Sequence, residues 1–193
     1  MTPKWPLLLA LVAPIPALGA ERSAITVRAD PPRLSWSAFR HVDSIPGSSE
    51  DARIAAEMSF PRSLRIEQSD GSYRMPPFTI TVTTEPTRTM VRRSAGASSL
   101  LLRHEQGHFD IVVLAARALA REIESTTSGS AAELSRRVKA LVDEHTARAE
   151  RLSEAYDRDT AGSRNATAQA RWSEMIAAAM RHPAPSRLAE LPL

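Results

Sequence analysis

No cysteine occurs anywhere in the 193 residues. Disulfide support, thiolate metal ligands and a cysteine nucleophile are therefore excluded, and hydrophobic burial, with or without a metal, must hold the fold. Lysine is nearly absent too: Lys4 and Lys139 are the only two, so the formal net charge of +3 rests on arginine. Those arginines are scattered among acids. With aromatics at 5%, no basic block interleaved with aromatic residues forms, which argues against a nucleic-acid partner.

Long apolar runs are missing as well. Leu7 to Leu18 is interrupted by Pro14 and Pro16 and falls short of the roughly 20 residues a membrane span needs. Lys4 precedes this run, Ala17-Leu18-Gly19-Ala20 follows it, and charge returns at Glu21-Arg22. That order predicts a cleavable signal peptide over residues 1–20, a periplasmic or secreted mature chain, and no stable membrane span after cleavage. Without Lys4 the mature charge is about +2.

The mature chain is long enough for one domain, expected over residues 21–182. Residues 24–93 carry most of its prolines and its strand-like runs, and residues 97–182 read as helical. Residues 183–193 are expected to be a loose tail. In the first part, Ile25 to Arg28 reads as a strand, and Leu34-Ser35-Trp36 begins another. Ala52 to Phe60 alternates apolar and polar residues as a half-buried strand does, and Leu64 to Gln68 can continue or pair with it. Phe78 to Thr84 is the strongest strand, alternating and β-branched. Turns are marked by Gly47-Ser48-Ser49 and Ser69-Asp70-Gly71-Ser72. In the second part, helices are expected over Ser98 to Glu124, Ala131 to Tyr156 and Asn165 to Arg181, with Asp157 to Arg164 as a turn.

The first helix carries His104-Glu105-Gln106-Gly107-His108. Histidines four residues apart on a helix project from one face, one turn apart. Two imidazoles so placed can grip one Zn²⁺, and the glutamate beside the first can orient and deprotonate a water. The apolar stripe Leu102, Phe109, Val113, Ala116 and Ile123 lies well round the helix from both histidines, so one face can pack on a sheet while the other looks into a cleft. Gly107 costs roughly 1 kcal/mol against alanine in a helix interior, which fits close approach of another backbone or a substrate.

Sheet first, then a helix bearing His-Glu-x-x-His, then two more helices, is the order of a zincin-like α+β domain with a mostly antiparallel sheet. In such a domain an edge strand borders the metal cleft, and Phe78 to Thr84 is the candidate, offering backbone groups to an extended peptide. An ordinary buried strand is the other reading of the same residues.

His104 to Ile111 resembles the signature of an uncharacterised bacterial secreted family that carries a zinc-dependent protease label. Tyr156-Asp157-Arg158-Asp159-Thr160, with Gln169 and Trp172 behind it, resembles that family's Tyr-Asp-x-x-Thr and Gln-x-x-Trp segments, and Trp36 with Phe39 fits its early Trp-x-x-Phe element. The resemblance implies zinc and a protein or peptide substrate. The family continues from the threonine as x-His-Gly, and that histidine is its natural third ligand. Here Gly162 holds the position and has no side chain to give.

A carboxylate can replace that histidine, since two histidines and one carboxylate are an ordinary catalytic zinc set. Asp157 is the first choice, with Glu154 and Asp159 as the others. His145 stands about 16 Å before the Tyr156 block on a continuous helix and reads as a core histidine. On this reading Glu105 is the general base. Tyr156 can donate to an oxyanion or simply fill core, and Asp110 can fix the tautomer of a ligand histidine or stand as a surface acid. The expected function is a zinc peptidase. The alternative is a catalytically inactive or weakly metal-binding zincin-like envelope binding module, and a helical scaffold that binds a partner is a third. Oligomeric state is left open.

Overall fold

The computed structural model describes residues 25–96, 98–185, 187–188 and 191–192. The expected signal peptide at residues 1–20 and part of the expected tail lie outside the described residues. Strands come first: β1 (Thr26–Asp30), β2 (Arg40–Val42), β3 (Ala52–Arg53), β4 (Ala56–Ser59), β5 (Glu67–Ser69), β6 (Ser72–Arg74), β7 (Thr79–Thr84) and β8 (Met90–Arg92). Helix α1 (Ser99–Ser125), β9 (Thr127–Ser128), α2 (Ala131–Thr160), α3 (Ala166–Arg181) and a small hairpin, β10 (Arg187–Leu188) and β11 (Leu191–Pro192), follow. The protein is α+β, with mostly antiparallel strands ahead of three helices. Among the described residues no helix is long and apolar enough to cross a membrane.

The strands form small sheets ordered β1-β7-β4, β2-β8-β3 and β5-β6-β9. Strand β7 pairs with β1 in parallel and with β4 antiparallel. It is therefore the central strand of its sheet, the buried-strand reading of its sequence and not the edge-strand one, and Ile80 and Val82 are fully buried. The cleft edge is β4 instead. β5 and β6 are joined through Asp70 and Gly71, both at positive φ, as a two-residue type I′ hairpin turn requires.

Two other strand expectations are corrected. Residues Trp36–Ala38 form a short 3-10 turn, and Trp36 packs edge-on against Phe39 at 5.1 Å. The run from Ala52 to Phe60 is split between two sheets, because its middle is bonded elsewhere. Ile54 N–H donates to the Glu105 carboxylate at 2.9 Å, and Ala55 N–H to Thr89 Oγ1 at 3.2 Å.

Helix α1 is the spine of the molecule. Phe109, Val113, Ala116, Leu119 and Ile123 pack toward the β1-β7-β4 sheet. Ile111, Leu114, Ala115 and Ala118 pack toward α2 and α3, with Leu152, Tyr156, Trp172 and Ile176. Each large side chain so buried contributes about 1.5–3 kcal/mol of transfer free energy, and the alanines let the helices approach closely. The segment expected to be a loose tail places Leu188 in this second cluster.

Each helix starts on a side-chain cap that satisfies a free N–H. Ser98 accepts from Leu101 N, Ser130 from Glu133 N, and Asn165 from Ala168 N. α2 runs one turn beyond its expected end. It stops at Ala161, Gly162 and Ser163, three successive residues at positive φ, and the chain turns back into α3. Asp157 therefore sits in the last turn of a helix, where a sequence reading of Asp157 to Arg164 expects a turn.

Candidate metal centre

His104 and His108 project from one face of α1, and Asp157 reaches them from the last turn of α2. His104 Nε2 and His108 Nε2 stand 3.2 Å apart, and each lies 3.0 Å from Asp157 Oδ1. The three atoms form a nearly equilateral triangle, a donor cluster able to hold a metal ion. His104 is 3% exposed, while Asp157 opens toward the cleft. Burial works against the charged form of both groups. It is outweighed at Asp157 by hydrogen bonds from the two histidines, which hold its carboxyl well below the ordinary value. At His104 the hydrogen bond with Asp157 and the Glu105 charge outweigh it and raise the ring pKa. Three electron-rich atoms this close need a positive charge among them, either protons or a cation.

The other two carboxylates weighed as third ligand are elsewhere. Asp159 accepts from Trp172 Nε1 at 2.9 Å and pairs with Arg171 at 3.3 Å. Glu154 is exposed on α2 and is not part of the donor cluster.

Glu105 is 2% exposed and its carboxyl pKa is raised, mainly by burial. Oε2 is held by Ile54 N–H. The same side chain lines a cleft of about 820 Å³ with His104, His108 and Asp157 on its floor. One wall runs along β3 and β4, from Ala52 to Met58. The other is the α2 face with Val142, Thr146, Ala149 and Ser153. Gly162, at the position of the expected family histidine, lines this cleft too, and open space surrounds it.

Of the two readings of Tyr156 the core-filling one holds, and Asp110 does not take the ligand-orienting role offered for it. Tyr156 does not face the cleft: it is fully buried, stacked on His104 with ring centroids 4.7 Å apart and planes 18° apart. Its hydroxyl accepts a hydrogen bond from Gln169 Nε2, and burial raises its pKa against the lowering effect of that bond. It is packing behind the histidines, not a donor to a reacting group. Asp110 does not touch a ligand ring; it accepts from Gln106 Nε2 at 2.8 Å.

The partners of His104 Nδ1 are Gln169 Oε1 at 3.0 Å and Thr160 Oγ1 at 3.4 Å. Sequence reasoning assigned no role to either. The signal available was the Gln-x-x-Trp spacing of Gln169 and Trp172, both almost fully buried in α3. His145 is placed as a core histidine should be. It is fully buried, but it is not satisfied by a core partner as expected: its Nε2 lies 3.2 Å from Glu122 Oε1 without hydrogen-bond geometry, and among the described residues its Nδ1 has no hydrogen-bond partner.

A profile of the family described as "Bacterial protein of unknown function (DUF922)" matches residues 48–164. No curated protein and no solved structure gives a match. The matched span is more than half of the chain and includes the cleft wall, His104, Glu105, His108, Asp157 and Gly162; the chain belongs to this family.

Proposed function

We propose that this DUF922 protein is an exported zinc-dependent peptidase. The observation that carries the reading is the triangle of His104 Nε2, His108 Nε2 and Asp157 Oδ1 on a cleft floor. Two imidazoles and a carboxylate are an ordinary zinc set, and tetrahedral coordination separates ligand atoms by about 3.3 Å. The observed edges are 3.0–3.2 Å. Export rests on the leader-like residues 1–20 alone.

Bound zinc supplies a Lewis acid that polarises a carbonyl and makes water acidic at neutral pH. The protein supplies the rest. Glu105 Oε2 is anchored on Ile54 N–H, which leaves Oε1 to take the proton of the attacking water. The raised carboxyl pKa suits a base working near neutrality. Glu105 then passes that proton to the leaving nitrogen as the C–N bond breaks.

The cleft wall supports an extended peptide as substrate. Ala55 stands opposite Glu85 in the register of β4 with β7, and Glu85 N–H donates to Ala55 O at 2.8 Å. In an antiparallel ladder the backbone groups alternate in direction. Those of Ala56 and Met58 therefore face away from β7, along the edge that borders the cleft, where a strand can be added.

Two measurements test the reading. Zinc stoichiometry near one in the wild type and near zero in His104→Ala is expected. Hydrolysis of an unfolded protein by the zinc-loaded wild type, abolished in Glu105→Gln, is expected alongside it. A wild type that takes no zinc, or equal rates in the two proteins, overturns it.

A further inference from the structure

We propose that Gln169 is a positioning residue that keeps a proton on His104 Nδ1 and so reserves the Nε2 lone pair for a metal. The inference rests on the metal-binding reading above. Gln169 comes from α3, 65 residues beyond His104, and is 1% exposed. Its position depends on the tight turn at Ala161 to Arg164, which folds α3 back along α2.

The direction of each hydrogen bond around the ring is set by its neighbours. Gln169 spends its amide N–H on the Tyr156 hydroxyl, which turns its carbonyl Oε1 toward His104 Nδ1. Thr160 has a single proton to give, and its hydroxyl donates it to Tyr156 O at 2.7 Å. Toward Nδ1 the threonine therefore offers only lone pairs. Both groups facing Nδ1 are acceptors, so the ring must carry hydrogen there. With Nδ1 so fixed, the hydrogen that Nε2 shares with Asp157 in the metal-free site is the one to leave, and the ring then presents a lone pair at Nε2, the corner of the donor triangle.

The ring has little freedom to escape this assignment. Tyr156 stacks on one face of it, and His108 stands edge-on at 4.8 Å between centroids. Rotation of the imidazole would break the Gln169 contact and drive ring atoms into the tyrosine. Gln169 thus does for His104 what a carboxylate or backbone carbonyl does at other metal-bound histidines: it fixes tautomer and orientation from behind.

The test uses the whole mature chain with ¹⁵N-labelled histidine. In metal-free wild type, at a pH where the ring is neutral, His104 should show hydrogen on Nδ1. Gln169→Leu, which keeps volume and removes both polar atoms, should lose the fixed proton and bind zinc about 10- to 100-fold more weakly in chelator competition. Gln169→Glu, whose carboxylate still accepts from Nδ1, should restore the Nδ1 proton and most of the affinity. Should Gln169→Leu not fold, Tyr156→Phe serves. It keeps the stacked ring, frees the Gln169 amide to turn, and should put the His104 ring into exchange between tautomers.

A bare Nδ1 in the wild type overturns the inference, as does a folded Gln169→Leu with wild-type tautomer and zinc affinity, or a Tyr156→Phe with an unchanged ring. A wild type with hydrogen on Nδ1 that takes no zinc overturns the metal reading and leaves the Gln169 assignment supported.

Discussion

Tyr156 occupies the space that a side chain on Gly107 would need: its Cζ lies 2.6 Å from where a Cβ on that glycine would stand. The glycine between the two histidines is there for the ring behind them. α1 can come this close to α2 because one residue of the motif has no side chain. The tyrosine thereby reaches under both imidazoles, with centroids 4.7 and 4.9 Å from His104 and His108.

Gly107→Ala should therefore destabilise. Helix propensity favours alanine by about 1 kcal/mol, but overpacking against a buried, hydrogen-bonded ring costs about 1–3 kcal/mol and displaces the ligands. Urea denaturation should show a net loss of stability, and chelator competition weaker zinc binding. A variant as stable as the wild type or more so would mean that Tyr156 moves aside freely.

Among the three carboxylates near the end of α2, only Asp157 meets both histidines. Asp157→Ala should weaken zinc binding by more than the 10- to 100-fold that loss of an outer partner costs. Glu154→Ala should leave it unchanged. Asp159→Ala removes the acceptor of Trp172 Nε1 and should lower stability before it touches zinc affinity. Isothermal titration of the three variants decides, and an Asp157→Ala protein with wild-type affinity would require a different third ligand.

The metal-free site should depend on pH in two opposed ways. Asp157 titrates below its ordinary value of 3.8 in the folded chain, so its contribution is complete above that pH and is lost as pH falls through the folded pKa. His104 titrates above its ordinary 6.5, so its contribution is complete below 6.5 and is lost as pH rises through the folded pKa. In chelator, the stability difference between wild type and Asp157→Asn should be largest between about pH 4 and 6.5. With zinc the alkaline side should reverse, because the ligands must be free of protons to bind. Denaturation at a series of pH values, with and without zinc, reads both, and an identical profile in the two conditions would count against the site.

His145 gives an independent acid limb. Burial lowers its pKa in the folded chain, outweighing Glu122, so the unfolded chain takes up the proton first and stability falls as pH drops below about 6.5. His145→Leu should flatten that limb and leave zinc binding alone. The limb persisting unchanged in the variant would assign it to another group.

Local features of the fold were legible in the residues. The helix start at Ser98, the long proline-free run behind it and the one-turn spacing of His104 and His108 are short-range matters, and α1 follows them. Strand order is long-range. Phe78 to Thr84 reads as a good strand whether it lies central or at an edge, and its place in the middle depends on β1 and β4, some 50 and 25 residues away. The break within Ala52 to Phe60 was hidden for the same reason, since the groups that bind Ile54 and Ala55 come from Glu105 and Thr89. At the site, Asp157 was the first choice over Glu154 and Asp159, but no local pattern separates the three. What separates them is one more turn of α2, which depends on packing against α1 and α3, and a tryptophan that takes Asp159. The partnership of His104 with Gln169 requires two helices to fold back on each other, and no local pattern encodes it.

The bond from Ile54 to Glu105 ties one bank of the groove to a carboxylate that lines it. The carboxylate expected to handle protons is also the clasp that pins the break between β3 and β4. Without it the Ile54 N–H would lose its acceptor, and that bank of the channel would lose its tie to α1.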